Sequence, residues 1–285
     1  MSTNQPYSIK IFLPGGDPDG LRIIEKSGWS GSGLVVPRSL FAEAKQRKEL
    51  GRTGVYVLVG PPEESGLPRI YVGEGDPIRP RLESHAGKKD FWTSCIAFSS
   101  KDENLNKAHV QYLEARLITL AKKAKRCTLE NSNEPQMPSL SEADAADAEG
   151  FLKEMMLCFP LLGVPVFTAA TAVPKAGIEL VLKAKGIQAC GMETSQGFLV
   201  RGGSVAAQPE VPSCPEYLRE IRTALLANGV LQLSEKGYLF TQDYLFSSPS
   251  NAAGTVLARS ANGLVEWKTK NGKTLKALRS DRESS

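Results

Sequence analysis

Residues 54–59 and 69–73 are two β-branched and aromatic runs, joined by a loop rich in Gly, Pro and Glu. Such runs favour strands, and a Gly- and Pro-punctuated connection folds them back as an antiparallel hairpin. A lone hairpin is marginal in water, so further strands or a covering helix must complete it. The residues that follow offer both. Pro80 suits the first turn of a helix that runs through His85. Residues 91–99 read as a third strand. Residues 106–126 read as a strong helix, with Val110, Leu113, Leu117 and Leu120 on one apolar stripe. The expected fold is α+β: a small domain over residues 51–135, with an antiparallel three-stranded sheet flanked by helices.

The flanks are expected to be separate pieces. Residues 7–13 and 21–24 read as strands around the turn signal of residues 15–20. A helix is expected from Ser39 through Leu50, with Leu40, Phe41, Ala44 and Leu50 on one face. Together these make residues 1–50 a short β-rich extension, too small to stand alone. Residues 136–165 read as a linker and an acidic helix, opened by Ser141 with Asp144 in the manner of a capping box. Residues 166–278 read as a separate C-terminal α+β domain. Its expected strands are 166–167, 178–182, 198–201, 237–246 and 264–267, with a helix over 215–227. Residues 279–285 are polar and expected to fray.

With 285 residues, 41% apolar and 23% charged, the chain can bury two cores and is unlike a disordered one. The net charge of +4 permits nucleic-acid binding without implying it. The five cysteines are scattered and lack CxxC spacing, and only two histidines occur, which argues against disulfides and zinc. No run approaches the ~20 apolar residues that span a bilayer. A soluble cytoplasmic protein, with no membrane partner, is expected.

Glu114 is the unusual residue. It edges the apolar stripe of the 106–126 helix, beside Val110, Leu117 and Ile118. A charge there must reach solvent, pair with an Arg or bind a cation. Arg81 and His85 share a helix face at i,i+4, and Tyr56 and Tyr71 lie on the two hairpin strands. Taken singly, each of these has an ordinary explanation in a solvated face or a packed strand.

Taken in order, they resemble the GIY-YIG nuclease family. The residues that carry the likeness are Gly54-Val55-Tyr56, Tyr71-Val72-Gly73, Arg81 with His85, Glu114 on the later helix, and an Asn after it. Val stands at both middle positions of the double signature where Ile is usual. Asn131 is the expected match for the closing residue, with Asn133 as runner-up. Residues 197–200, 203–204, 252–253 and 262–267 are similar to an uncharacterised module found behind some such domains.

The resemblance implies a metal-dependent endonuclease. Tyr56, Tyr71, Arg81, His85, Glu114 and Asn131 would form its catalytic set, and Glu114 would hold one Mg2+ or Mn2+. Arg81 would clamp the scissile phosphate. Tyr56 would take the proton of the attacking water, with His85 as the rival base. Tyr71 would position water or phosphate, and Asn131 would orient the site. Lys88, Lys89, Lys122, Lys123 and Arg126 would contact nucleic acid, DNA before RNA. A double-strand cut would suit a dimer. The alternative is a non-catalytic nucleic-acid-binding or interaction protein that keeps the same scaffold.

Overall fold

The computed structural model describes residues 6–62, 67–132, 135–168, 178–184, 186–195, 197–208 and 214–283. It has an α+β architecture with two compact units, which divide between Thr168 and Ala169.

In the first unit, chain order runs β1 (Ile9–Phe12), β2 (Arg22–Lys26), β3 (Gly31–Pro37), α1 (Phe41–Ala44), β4 (Gly54–Pro62), β5 (Pro68–Gly75) and α2 (Ile78–Lys88). It continues with β6 (Ser94–Ser100), α3 (Lys107–Ala124), β7 (Thr128–Leu129) and α4 (Glu142–Cys158). The strands form one seven-stranded sheet, ordered β1-β2-β3-β6-β4-β5-β7. Neighbours are antiparallel except β5 and β7. The three expected strands are its β6-β4-β5 centre.

Side chains alternate across this sheet, as strand geometry requires. Val55, Val57, Ile70, Val72, Ile96 and Phe98 face a core shared with α3 and α4. Tyr56, Leu58, Cys95 and Ala97 face a second core with Ile78 and Leu82 of α2. Tyr56 is therefore a core side chain at its ring, with no exposed surface.

Several expectations need correction. The N-terminal residues are not an appended extension: β3 pairs with β6 along its length, from Gly31↔Ser100 to Pro37↔Ser94. The 39–50 helix is broken into a 3-10 turn (Arg38–Leu40), the single turn of α1 and a second 3-10 turn (Lys48–Gly51). At about 100° per residue, Leu50 would lie opposite Phe41 on a straight helix. The break lets Phe41, Ala44 and Leu50 enter one core. Residues 136–165 are not a separate linker either, since Phe151, Leu152 and Met155 of α4 lie in the core of the first unit. Val166 and Phe167 are in a 3-10 turn, not a strand, and are buried in that same core.

The second unit contains β8 (Glu179–Ala184), β9 (Ile187–Thr194), β10 (Gly197–Val200), β11 (Val205–Ala206), α5 (Glu216–Ala227) and β12 (Leu231–Ser234). It ends with β13 (Gly237–Phe240), β14 (Tyr244–Phe246), α6 (Pro249–Leu257), α7 (Gly263–Glu266) and α8 (Leu275–Glu283). Its sheets are ordered β14-β10-β9-β8 and β11-β13-β12. Phe198, Phe240, Trp267 and Leu225 anchor its core. Residues 264–267 form a helical turn instead of a strand, because the Asn262 side chain caps it by accepting from the Leu264 N–H. The expected frayed end is helical through Glu283, and Arg279 pairs with Glu193. Among the described residues, no helix is long and apolar enough to cross a membrane.

Candidate active site

Strand pairing sets the first part of the site. Tyr56 of β4 stands opposite Gly73 of β5. A Cβ on Gly73 would fall 2.4 Å from the Tyr56 Oη and Cζ atoms, so only glycine lets the tyrosine ring cross that strand. Gly54 is equally constrained, since its Cβ would meet the Phe98 carbonyl oxygen at 2.2 Å. The glycines of both signatures thus answer to close backbone and ring approach.

Helix α2 is seated by Ile78 and Leu82 in the Tyr56 core and by the Ile78 N–H donating to the Arg52 carbonyl at 3.0 Å. This turns His85 over the strand pair. The Tyr56 hydroxyl and His85 Nε2 are 2.9 Å apart, and the Tyr71 ring meets the imidazole edge-on at 4.8 Å. Lys89 Nζ lies 4.4 Å from the Tyr71 ring centre, a cation–π contact. Arg81 is exposed one turn before His85.

Electrostatics divide these groups by role. Burial, then the neighbouring Tyr71, push the Tyr56 hydroxyl far above its ordinary pKa, and Arg81 only partly opposes them. Tyr56 is therefore no standing phenolate. Burial, together with Lys89, Arg81 and Lys88, lowers His85 to about 4. Its imidazole is neutral near pH 7 and free to accept a proton. Burial alone would lower the Arg81 pKa, but Tyr56, Tyr71 and Glu74 outweigh it and raise it.

Glu114 lies on α3, whose start is fixed by Asn106 and His109 in a reciprocal capping box. Its carboxylate is half-buried, and among the described residues it makes no ion pair or hydrogen bond. Arg116, a candidate partner, is committed to Glu149. Burial and then Glu74 raise Glu114 to about 7, against the pull of Arg81 and Lys107. Glu114 and Gln111 border an open depression walled by residues 135–139. A half-buried carboxylate without a counter-cation, beside open space for water, suits one oxygen-liganded Mg2+ or Mn2+. A cage of several ligands does not fit. Among the described residues, no group of three or more His, Cys, Asp or Glu could hold a metal.

Asn131 follows β7 and continues its pairing with β5 through a side chain. Its Nδ2 donates to the Val72 carbonyl at 2.8 Å, and its Oδ1 accepts from the Val72 N–H at 2.9 Å. Val72 lies between Tyr71 and Gly73, so Asn131 positions that strand and does not face the depression as a reacting group. Asn131→Ala is expected to cost about 2 kcal/mol in denaturant unfolding, because both backbone groups lose their partners. An unchanged midpoint would contradict this role. Asn133 lies outside the described residues.

The basic residues fall into two sets. Lys88 and Lys89 end α2 beside the Tyr-His cluster. Lys122 and Lys123 occupy the last turn of α3, roughly 12 Å along the helix from Glu114, where they complement its dipole. The Arg126 guanidinium donates to the Thr168 carbonyl at 3.4 Å. These three are not gathered with the cluster.

Two site residues escaped the sequence reading of roles, Glu74 and Lys107. Lys107 Nζ donates to both Glu74 oxygens at 2.7 Å. A signal existed, since Glu74 follows Ile70 and Val72 at strand period two and so lies on a buried face.

No curated protein and no solved structure matches the chain. A family model described as a domain of unknown function, DUF4357, matches residues 180–279, which lie in the second unit.

Proposed function

We propose that the first unit is a metal-dependent endonuclease of the GIY-YIG type, cutting phosphodiester bonds in nucleic acid, DNA before RNA. The observation that carries this reading is Glu114, a half-buried carboxylate with no cation partner among the described residues, within electrostatic reach of Arg81 and Tyr71. Tyr56, Tyr71, Arg81 and His85, the remaining residues of the resemblance, cluster beside it.

Glu114 would hold one Mg2+ or Mn2+, which, when bound, neutralises charge that develops on the phosphate. Arg81, exposed and permanently charged, binds a phosphate oxygen through its fork of donors. Lys88 and Lys89 add positive charge along the approach. The Tyr56–His85 pair moves the proton. As the attacking water gives a proton to Tyr56 Oη, Tyr56 gives its own to His85 Nε2. Tyr56 stays neutral, which its burial demands, and the anionic phosphate favours the imidazolium that forms. His85 thus becomes the final acceptor and Tyr56 the relay. This reverses the expected ranking of the two. The second unit, with its DUF4357 domain, would supply targeting.

The test is a cleavage panel on the full chain, with supercoiled and linear DNA and with RNA, in Mg2+ and in Mn2+. Cleavage should disappear with a chelator and fall at least roughly a hundredfold in Arg81→Ala, the loss expected for one preorganised charge on a phosphate. A folded protein that cuts none of these substrates would refute the enzyme reading.

A further inference from the structure

Lys107 stands in an unfavourable place for its charge. It is the first residue of α3, directly after the Asn106 cap. A cation there opposes the positive end of the helix dipole. No acidic residue lies in that first turn to offset it. Its compensation comes from β5: both oxygens of the buried Glu74 carboxylate accept from Lys107 Nζ at 2.7 Å. Lys107, Gln111 and Glu114 fall at i, i+4 and i+7, which is one face of the helix. Gln111 and Glu114 on that face border the open depression.

We infer that Lys107 is a tethered counter-cation that sets how readily the Glu114 site takes up a divalent metal ion, by neutralising Glu74 while the site is empty. The inference rests on the proposed reading of Glu114 as the cation holder. Around that carboxylate, Glu74 contributes a negative charge and Arg81 and Lys107 contribute positive ones. The two acids and two bases cancel, so an arriving cation meets no net attraction from the set. Removing Lys107 leaves the set net negative. Removing Glu74 leaves it net positive. The two changes therefore act in opposite directions, which a merely structural role for the pair would not produce.

The experiment is a titration of the full-length protein with Mn2+, followed by the electron paramagnetic resonance signal of the free ion. Each variant is checked by its thermal melting curve. Lys107→Gln is expected to bind Mn2+ roughly tenfold more tightly than the unaltered protein, and Glu74→Gln roughly tenfold more weakly. The double variant should return near the starting affinity, and Lys107→Arg, which keeps the charge, should match it. Half of the Lys107 side chain is exposed, so its replacement by Gln leaves the core untouched. Equal or weaker binding in Lys107→Gln overturns the inference, and the nuclease reading survives if Mg2+-dependent cleavage persists. Absence of Mn2+ binding in the unaltered protein overturns the inference together with the cation role of Glu114.

Discussion

Glu114→Gln is expected to abolish metal-dependent cleavage while leaving the fold intact, and to make the metal-free protein more stable near pH 8. The activity loss should be roughly a thousandfold or more. A bound cation contributes several kcal/mol to the transition state, at about 1.4 kcal/mol per factor of ten. The stability gain follows from linkage. Burial and Glu74 raise the Glu114 pKa from 4.5 to about 7. Between those values the folded protein binds more protons than the unfolded chain. Stability of the metal-free protein therefore falls as pH rises through this window and levels off above it. Gln cannot ionise and removes that slope. With allowance for partial solvent exposure, the gain at pH 8 is on the order of 1 kcal/mol. Mg2+ should restore stability to the unaltered protein and leave the variant unchanged. Denaturant unfolding at pH 5 and pH 8, with and without Mg2+, checks each part. A variant whose stability declines with pH as the unaltered protein's does would place the titration elsewhere.

Gly73→Ala is the second large effect. The added Cβ would sit 2.4 Å from the Tyr56 hydroxyl, and Tyr56 has no exposed surface into which to retreat. Relief must come from displacing the ring or parting β4 from β5. Overpacking of this kind costs about 2–3 kcal/mol. Because the displaced atom is the one that meets His85 Nε2, the proton relay should fail as well. Cleavage should fall by roughly a hundredfold or more, the scale of a misplaced general base. Unchanged unfolding in Gly73→Ala would mean that the ring does not cross the strand there.

Local pattern explains what the sequence made readable. The β4–β5 hairpin, α2 and α3 announce themselves through period-two alternation, a Pro in the first turn and an apolar stripe. Asn106 gives α3 its start. What escaped is non-local. Strand β3 opens on Gly31 and contains Gly33, which read as loop. Their smallness is explained only by the Trp29 and Phe98 rings packed against them. The break after α1 depends on which core Leu50 enters. At the site, Tyr56 and His85 were brought together on spacing alone. Lys107 was read as one more solvated base, because its partner is thirty-three positions away on β5. Lys122 and Lys123 looked like phosphate contacts in sequence, yet distance along α3 separates them from Glu114.

The central claim is that Glu114, with Arg81, Tyr56, Tyr71 and His85, makes the first unit a nuclease. Mg2+-dependent conversion of supercoiled plasmid, compared between the full-length protein and Glu114→Gln from identical preparations, tests it most directly. The account predicts nicked or linear product from the unaltered protein alone, lost when Mg2+ is chelated. Equal cleavage by the two proteins, or cleavage indifferent to the chelator, would contradict it.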